Sequence, residues 1–417
     1  MESSDKRGRA YLLVGAIVQV ALAVGLAPSA GAQQWVASWG SSLQGLSPEE
    51  ATVTNATVRL MARSTVAGDR VRVRLENTYG SEPLTVGAAA VGLQNNGPSL
   101  VAGSSRGLRF GGSGSVTIPA GEYVLSDPVD LAVGAGQGLA VSLHVPGANL
   151  RSSMHRTALA TSYLTEAGAG DHTGNVDGEP YTETTPWMHW LSAIEVFSSS
   201  ARGAIVAFGD SITDGSCATP DGHDTWPDIL YTRLLHAAGT ARLGVVNAGI
   251  GGNTVIRVPP VTSTPGVERM DRDVLALAGV THVVVYLGTN DLRRQATAEQ
   301  VIAGLDEVVG RARARGLKVA AATIIARNPT PRGLPPELGF GPEQNARRHA
   351  VNEWIRNNDD LHAVLDFDAV MKDAGDPNLI NPIYDCDGIH PNVFGYAAMG
   401  GSIDLAVFDE ELQASAP

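Results

Sequence analysis

The chain of 417 residues has little of what binds metals, nucleotides or nucleic acids. It contains only two cysteines and no H-x-x-x-H spacing, which excludes the common zinc-ligand patterns. No glycine-rich phosphate loop occurs either. The formal charge of −13 opposes binding to nucleic acid and to anionic membrane surfaces, and it favours a neutral substrate. We therefore expect no metal, no other cofactor and no nucleic-acid partner.

Only one segment is long and apolar enough to suggest export or membrane insertion, and it lies at the N-terminus. A basic stretch at 6–9 precedes an apolar stretch at 11–26, and Ala30-Gly31-Ala32 has the form of a cleavage site. This pattern is typical of a secretory signal peptide. The alternative is an uncleaved membrane anchor, although the apolar run is shorter than the ~20 residues that span a bilayer. We expect residues 1–32 to be removed, leaving a soluble, secreted protein (periplasmic or extracellular) without stable membrane association.

Residues 33–200 have the pattern of β-strands. Apolar and polar residues alternate with a period of two at 57–61, 70–76 and 140–145. Turn-forming stretches such as Asn95-Asn96-Gly97-Pro98 separate the strands, and no long helical pattern is present. We predict a β-sandwich accessory domain of jelly-roll type over residues 33–200.

Beyond residue 200 the pattern changes to buried strands that alternate with helices. Continuous apolar runs, typical of parallel strands buried on both faces, occur at 204–207, 280–287, 317–325 and 363–367. Helical patterns lie between them, one beginning at Thr297 and another near Pro342. We predict that residues 201–417 form a three-layer α/β domain with a doubly wound parallel sheet. In such sheets ligands bind at the carboxyl ends of the strands.

Four short polar segments lie at those strand ends or near the C-terminus. They are Gly209-Asp210-Ser211-Ile212-Thr213 after the first strand, 247–254 after the second, Gly288-Thr289-Asn290-Asp291 after the third, and Asp387-Gly388-Ile389-His390-Pro391 further on. Each segment alone would be an ordinary turn or loop. Their occurrence together, in this order and in one α/β domain, indicates a shared site.

Together these segments supply the groups that hydrolysis of an ester through a serine requires. A serine hydroxyl needs a neighbouring base, and His390 suits that role near neutral pH. Asp387, three residues earlier, is placed to orient the imidazole of His390. The backbone N–H of Gly252 and the side-chain amide of Asn290 are candidate donors to the oxyanion of the tetrahedral intermediate. We predict Ser211, His390 and Asp387 as the catalytic triad.

The two cysteines lie beside these segments. Cys217 follows Ser211 by six residues and Cys386 immediately precedes Asp387, so the cysteines meet if the segments meet. Two separate buried thiols are the alternative. Because an exported chain is oxidised, we predict a Cys217–Cys386 disulfide that joins the nucleophile loop to the acid–base loop.

The four segments resemble the conserved blocks of the SGNH hydrolase superfamily, the GDSL-type hydrolases, over about half of the chain. The matching positions are Ser211 in G-D-S-I-T, Gly252 in N-A-G-I-G-G-N-T, Asn290 in G-T-N-D and His390 in D-G-I-H-P. The resemblance implies a flavodoxin-like fold and a triad completed by Asp387. It also implies an oxyanion hole formed by the N–H groups of Ser211 and Gly252 and by the amide of Asn290.

The N-terminal half resembles two-domain, acetylxylan-esterase-like secreted members of that superfamily. The residues that carry this resemblance are Trp35-Val36-Ala37-Ser38-Trp39, 72–77 and 80–85. It implies short acyl esters as substrates, acetyl esters of small molecules or polysaccharides. Two alternatives stay open: a lipase or acyltransferase that uses the same triad, and a carbohydrate-binding protein without catalysis. The presence of all five site residues argues against the second alternative.

Overall fold

A computed structural model describes residues 33–49, 51–237 and 242–408. The predicted signal peptide lies outside the described residues, so its cleavage stays a prediction. Within the described ranges no helix has the length and apolarity that crossing a membrane requires. These residues pack as one compact unit, and the domain boundary at residue 200 also stays a prediction.

In the described part of residues 33–200, all regular secondary structure consists of β-strands. The strands are Gln34–Gly40 (β1), Gly45–Leu46 (β2), Ala56–Arg63 (β3), Gly68–Glu76 (β4), Leu84–Val86 (β5), Ala88–Leu93 (β6), Arg106–Gly107 (β7), Val116–Ile118 (β8), Tyr123–Leu125 (β9), Val129–Val133 (β10), Gly138–Val145 (β11), Ser153–His155 (β12), Ser162–Leu164 (β13), Glu183–Thr185 (β14), Met188–His189 (β15) and Leu191–Ser198 (β16). One large sheet has the order β1-β16-β4-β10, with β9 also paired to β4. The other has the order β14-β13-β3-β11-β6-β7.

Side chains from both large antiparallel sheets meet in one apolar core. Val71 and Val73 of β4 are fully buried in the same cluster as Val58 and Leu60 of β3. Strands cover all three segments whose period-two alternation predicted them, because β3, β4 and β11 each present one face to this core. The β-rich architecture is therefore as expected, whereas the jelly-roll order of strands stays a prediction.

The second half contains a five-stranded parallel sheet. Its strands are Gly203–Gly209 (β17), Leu243–Gly249 (β18), Val280–Tyr286 (β19), Lys318–Ala322 (β20) and Ala363–Leu365 (β21). The spatial order is β18-β17-β19-β20-β21, the doubly wound order typical of flavodoxin-like folds. The strand order reverses around β17. The loops after β17, β18 and β19 therefore open at the point where such sheets bind ligands.

Helices cover both faces of the parallel sheet. They are Ser211–Asp214 (α1), Trp226–His236 (α2), Gly266–Met270 (α3), Thr289–Arg293 (α4), Ala298–Ala314 (α5), Pro342–Arg356 (α6), Phe367–Met371 (α7) and Val393–Ser402 (α8). Ile205 of β17 belongs to the apolar cluster that includes α2 and α8, whereas Val206 belongs to the cluster that includes α5 and α6. Successive side chains of a strand point to opposite faces, so the predicted three layers are confirmed.

Two strands end earlier than their apolar runs predict. The strand β20 ends three residues early, where the N–H of Ile324 donates to the side chain of Asn352 at 2.7 Å. The strand β21 ends at Leu365, because Asp366 caps α7 and Phe367 already belongs to that helix. In both places a polar side chain supplies the hydrogen bond that ends regular strand pairing.

The β-rich half packs directly against the edge strand β18. The N–H of Val245 donates to Oγ1 of Thr65 at 3.1 Å. A Cβ on Gly244 would lie 2.6 Å from the carbonyl oxygen of Ala37, so this approach requires glycine. The β-rich half therefore lies beside the strand that leads into the Gly252 segment.

Candidate active site

Ser211 lies at the first position of the short helix α1, directly after β17. Oδ1 of Asp210 accepts the N–H of Ile212 at 3.0 Å and caps this helix. The turn is tight, since a Cβ on Gly209 would lie 2.0 Å from Oγ1 of Thr213. Burial raises the pKa of Asp210 to about 6. At this helical position the N–H of Ser211 has no partner within the helix and remains available to a ligand.

The three residues predicted as a triad lie in hydrogen-bond contact. Oγ of Ser211 is 3.0 Å from Nε2 of His390, whose Nδ1 is 2.8 Å from Oδ2 of Asp387. The other carboxylate oxygen accepts the backbone N–H groups of Ile389 and His390, both at 2.9 Å. Burial alone would raise the pKa of Asp387, but the contacts with His390 and these N–H groups lower it to about 2.

This pattern of donors and acceptors fixes the tautomer of His390. An ionised carboxylate is only an acceptor, so Nδ1 carries the proton that faces Asp387. In the neutral ring Nε2 is then left with a lone pair, which faces the hydroxyl of Ser211. Chemically, this arrangement is able to take a proton from a serine as that serine attacks a carbonyl carbon.

Gly252 lies in the loop after β18 with a positive φ of 72°. Within the described ranges its N–H donates to no protein acceptor, while its carbonyl oxygen accepts from Nη2 of Arg294 at 3.2 Å. This loop lies against α1, since a Cβ on Gly251 would be 3.5 Å from Oδ2 of Asp214. The position and the free N–H fit the predicted oxyanion donor, whose role stays a prediction.

Residues of α4 hold the loop of Gly252 in place. The side-chain amide of Asn290 donates from Nδ2 to the carbonyl oxygen of Asn253 at 2.9 Å. The buried carboxylate of Asp291 accepts the N–H groups of Val255 and Ile256 at 2.9 and 3.1 Å. Burial raises the pKa of Asp291 to about 7. The second and third motif segments are thus joined directly.

The predicted disulfide is present between Cys217 and Cys386, with their Cα atoms 6.5 Å apart. It closes a loop with a sequence separation of 169 and links the two segments that contain Ser211 and the Asp387–His390 pair. A loop of this length corresponds to about 5 kcal/mol of lost unfolded-state entropy in the chain-entropy model. Among described residues, the one cluster of metal-ligand types comprises Cys217, Asp387 and His390. Its sulfur lies in the disulfide, so the cluster offers no thiolate to a metal.

Two buried arginines near these loops were missed by the sequence interpretation. The first is Arg269, which donates to the carbonyl oxygens of Gly209 at 2.8 Å and Ala248 at 3.0 Å. It also donates to Oδ1 of Asn253 at 3.0 Å and forms an ion pair with Asp273 at 2.9 Å. A single side chain thus connects the ends of β17 and β18. No motif or spacing in the sequence marks it.

The second is Arg327, which follows β20. It donates to Oγ1 of Thr289 at 2.7 Å, to Oδ1 of Asn290 at 3.0 Å and to the carbonyl oxygen of Leu338 at 3.1 Å. The one sequence signal that could have found it is its position after an apolar strand, where the motif residues of other strands also lie.

A buried ion pair connects the β-rich half to the nucleophile helix. Nε2 of His155 is 2.9 Å from Oδ1 of Asp214, and Nδ1 of His155 is 2.8 Å from the carbonyl oxygen of Ser42. A carbonyl and a carboxylate both accept, so the two ring nitrogens both donate and the ring is an imidazolium. Burial lowers the pKa of His155, but Asp214 and the carbonyl outweigh burial and raise it overall.

Replacing His155 by glutamine is expected to lower the free energy of unfolding by about 3 kcal/mol below pH 6.5, because the substitution leaves Asp214 buried without a cation. A histidine with a raised folded pKa contributes fully below its unfolded value of 6.5, and that contribution is lost as pH rises through the folded pKa. The difference between wild type and H155Q should therefore shrink at pH 9. Urea denaturation at both pH values measures it.

His189 provides a control of opposite sign. It is also buried in the β-rich half, but burial lowers its pKa to about 4. Its unfolded form gains a proton below pH 6.5, which destabilises the fold there. The stability difference between wild type and H189Q should therefore grow, not shrink, towards pH 9. Identical pH profiles for the two variants would contradict an ion pair at His155.

A cavity of about 660 Å³ lies beside the site rather than at it. Residues of the β-rich half line one side, including Trp39 and Tyr163, and residues of α2 and its preceding loop line the other, including Tyr231. Asp214 reaches its wall, but Ser211 and His390 do not line it. The predicted catalytic pair Ser211 and His390 therefore lies outside this cavity.

The fold and the site define the class of this protein: it is a doubly wound α/β protein in which a serine, a histidine and an aspartate are in hydrogen-bond contact at the switch point of the sheet. Residues 207–398 match the sequence model of the GDSL-like Lipase/Acylhydrolase family. These residues therefore form a GDSL-like lipase/acylhydrolase domain, as the four motif segments predict, and this domain makes the chain a carboxylic ester hydrolase. No curated protein matches the chain.

Several solved structures resemble about half of the chain. A lipolytic protein of the G-D-S-L family from Veillonella parvula DSM 2008 is 19% identical, covering 49% of this chain and 97% of its own, with a TM-score of 0.37. A GDSL-like lipase from Bacteroides thetaiotaomicron VPI-5482 is 20% identical, with coverages of 50% and 88% and a TM-score of 0.37. An aryl esterase of M. smegmatis is 19% identical, with coverages of 51% and 99% and a TM-score of 0.38.

Proposed function

We propose that this chain is a secreted esterase that removes short acyl groups, acetyl foremost, from small alcohols or polysaccharide hydroxyls. The observation that carries the proposal is the chain of hydrogen bonds from Ser211 through His390 to Asp387, at 3.0 and 2.8 Å. In this distance range a proton passes directly from the serine hydroxyl to the imidazole during attack.

The proposed reaction proceeds in two half-reactions. Oγ of Ser211 attacks the ester carbonyl while Nε2 of His390 takes its proton, and the N–H groups of Ser211, Gly252 and Asn290 stabilise the oxyanion. The imidazolium then returns the proton to the departing alcohol, leaving an acyl group on Ser211. Water, deprotonated by His390, releases the acid and restores the enzyme.

The disulfide supports the proposal that the chain is exported. Disulfides form and persist in oxidising compartments, and Cys217–Cys386 joins two loops of the reaction site. Together with the apolar stretch at 11–26 it favours cleavage after Ala32 and a periplasmic or extracellular location.

A lipase-like preference for longer acyl chains is the second candidate, and one observation favours it. Ile383 and Phe394 are 68% and 67% exposed, and each lies four residues along the chain from the Asp387–His390 segment. Exposed apolar side chains beside a reaction site are typical of surfaces that contact apolar ligands. The sequence contains no long apolar insert of the kind that forms a lid, which favours the short-chain preference.

A series of p-nitrophenyl esters from acetate to laurate decides between these candidates. We expect kcat/KM to be highest for acetate and to fall at least about tenfold by octanoate. Equal turnover of acetate and laurate would contradict the short-chain preference. Release of acetate from acetylated xylan tests the polysaccharide, and product formation with added alcohols detects acyl transfer.

Labelling with a fluorophosphonate tests the nucleophile without any substitution. We expect one covalent adduct, located at Ser211 by peptide mass spectrometry, because an activated serine reacts while ordinary serines do not. Glycan binding without turnover and without an adduct would instead indicate a carbohydrate-binding protein.

A further inference from the structure

Arg327 is a buried cation that forms no direct ion pair within the described residues. Its side chain is 3% exposed, and among the described residues no carboxylate lies within ion-pair distance of its guanidinium. Burial lowers its pKa to about 10, so it remains charged at neutral pH. Other buried arginines of the chain are paired: Arg269 with Asp273 and Arg348 with Asp368. The carboxylates of the first and fourth motif segments attract this charge from beyond ion-pair distance and offset part of the cost of burial, so its hydrogen bonds must explain its position.

The hydrogen bonds of Arg327 converge on the oxyanion side of the site. Nη2 donates to Oδ1 of Asn290, and Nε donates to Oγ1 of the preceding Thr289. Both acceptors belong to α4, which begins at the end of β19. One rigid guanidinium group therefore forms hydrogen bonds with two residues in the first turn of α4, the helix that contains Asn290.

This contact decides which way the amide of Asn290 points. The oxygen and nitrogen ends of an asparagine amide have nearly the same shape, and a flip exchanges a donor for an acceptor. A guanidinium only donates hydrogen bonds, so Arg327 can bond only to Oδ1 of the Asn290 amide. Nδ2 of that amide therefore points away from Arg327. There one N–H donates to the carbonyl oxygen of Asn253 at 2.9 Å, and the second has no acceptor among the described residues.

We propose that Arg327 is a positioning residue for catalysis, which orients the oxyanion donor Asn290 and polarises its amide. The inference rests on the proposed function. A charge-assisted bond to Oδ1 polarises the amide and strengthens the opposite N–H as a donor. Because negative charge arises only when the tetrahedral intermediate forms, the effect belongs to the transition state rather than to substrate binding.

Two substitutions of Arg327 test the proposal. Arg327→Met keeps the apolar length of the side chain and removes the charge and all donors. We expect kcat for p-nitrophenyl acetate to fall by about 10- to 100-fold with KM nearly unchanged, somewhat less than direct loss of an oxyanion donor. Arg327→Lys keeps the charge without the fork, and it should restore part of the lost kcat.

A double-mutant cycle with Asn290→Ala separates positioning from general damage. If Arg327 acts through Asn290, then R327M should lower kcat far less in the N290A background than in the wild type. Full additivity of the two losses would overturn the proposal, because it would mean that Arg327 contributes independently of Asn290.

Arg348→Lys is the matched control for replacing a buried arginine. Arg348 is fully buried, but it pairs with Asp368 and contacts no proposed catalytic group. R348K should lower the thermal midpoint while the folded enzyme keeps a kcat close to that of wild type. An equal loss of kcat in R327K and R348K would show that only stability is affected, and it would overturn the proposal.

Failure of this inference is distinguishable from failure of the proposed function. If wild type hydrolyses the ester and R327M, folded by circular dichroism, keeps the wild-type kcat, only the role of Arg327 is wrong. If wild type neither hydrolyses esters nor labels at Ser211, the proposed function is wrong and the inference fails with it.

Discussion

Replacing Ser211 by alanine is expected to lower kcat for p-nitrophenyl acetate by roughly 10⁴- to 10⁶-fold, the range seen when a serine nucleophile is removed. In the proposed reaction the hydroxyl attacks the carbonyl and forms the acyl-enzyme, and among the described residues it is the protein group in contact with Nε2 of His390. Initial rates with both proteins measure the loss.

The fold should survive this substitution. Asp210, not Ser211, caps the helix α1, and alanine is well tolerated at the first turn of a helix. Ser216, five residues further on, is the control: its backbone contacts the Ser211 segment, but its hydroxyl is not part of the triad contacts. S216A should therefore keep activity within a few-fold of wild type. Wild-type turnover by S211A would rule out the acyl-enzyme route.

Asp387→Asn is expected to lower kcat by about 10³- to 10⁴-fold, the second largest effect. One carboxylate oxygen accepts a hydrogen bond from Nδ1–H of His390 at 2.8 Å, while the other accepts two backbone N–H groups. An asparagine keeps its oxygen on those N–H groups and turns its NH₂ towards Nδ1. His390 then accepts at Nδ1 and carries its proton on Nε2, so it no longer accepts the proton of Ser211. Steady-state rates at constant pH measure the effect.

The neighbouring Asp385 supplies a matched control for Asp387. Its carboxylate accepts the N–H of Gly388 at 2.6 Å and pairs with Arg332 at 3.2 Å, so it shapes the same turn without contacting His390. Asp385→Asn should lower the thermal midpoint, with a much smaller loss of kcat than D387N. If D387N stays within tenfold of wild type while D385N does not, the assignment of the acid is wrong.

These predictions follow from groups that are close together in the sequence or that end neighbouring strands. The pair Asp387 and His390 is three residues apart, so a single turn is enough to bring them together. Ser211 and Asn290 each follow a strand, and the continuous apolar run of each strand predicts that the strand is buried and parallel to its neighbours. The carboxyl ends of such strands meet at one edge of the sheet, which is why the sequence leads to one site. Their catalytic roles remain predictions that the substitutions above test.

The disulfide is an intermediate case. Cys217 and Cys386 are far apart in the chain, and neither has a partner at a diagnostic spacing. Their pairing could be predicted only because each cysteine lies beside a residue of the same predicted site. The prediction of the disulfide therefore depended on the prediction of the triad. In the structure the two cysteines are bonded, and the neighbouring residues Ser211 and His390 are also in contact.

The sequence by itself determined the doubly wound α/β half, the order of its motif segments, the β-rich nature of residues 33–200 and the groups able to act on an ester. The periodicity of apolar residues and the chemistry of a few side chains depend on local positions, and both are visible in the printed chain.

Only the tertiary structure decided how the supporting charges are arranged. Arg327 lies 37 residues from Asn290, and His155 lies 59 residues from Asp214 in the other half of the chain. An isolated arginine or histidine has many acceptors within reach of its long or polar side chain. Arg327 obtains its partner because β20 packs beside β19, and His155 obtains its partner because the β-rich half packs beside α1. Each packing excludes water and the other possible hydrogen-bond acceptors.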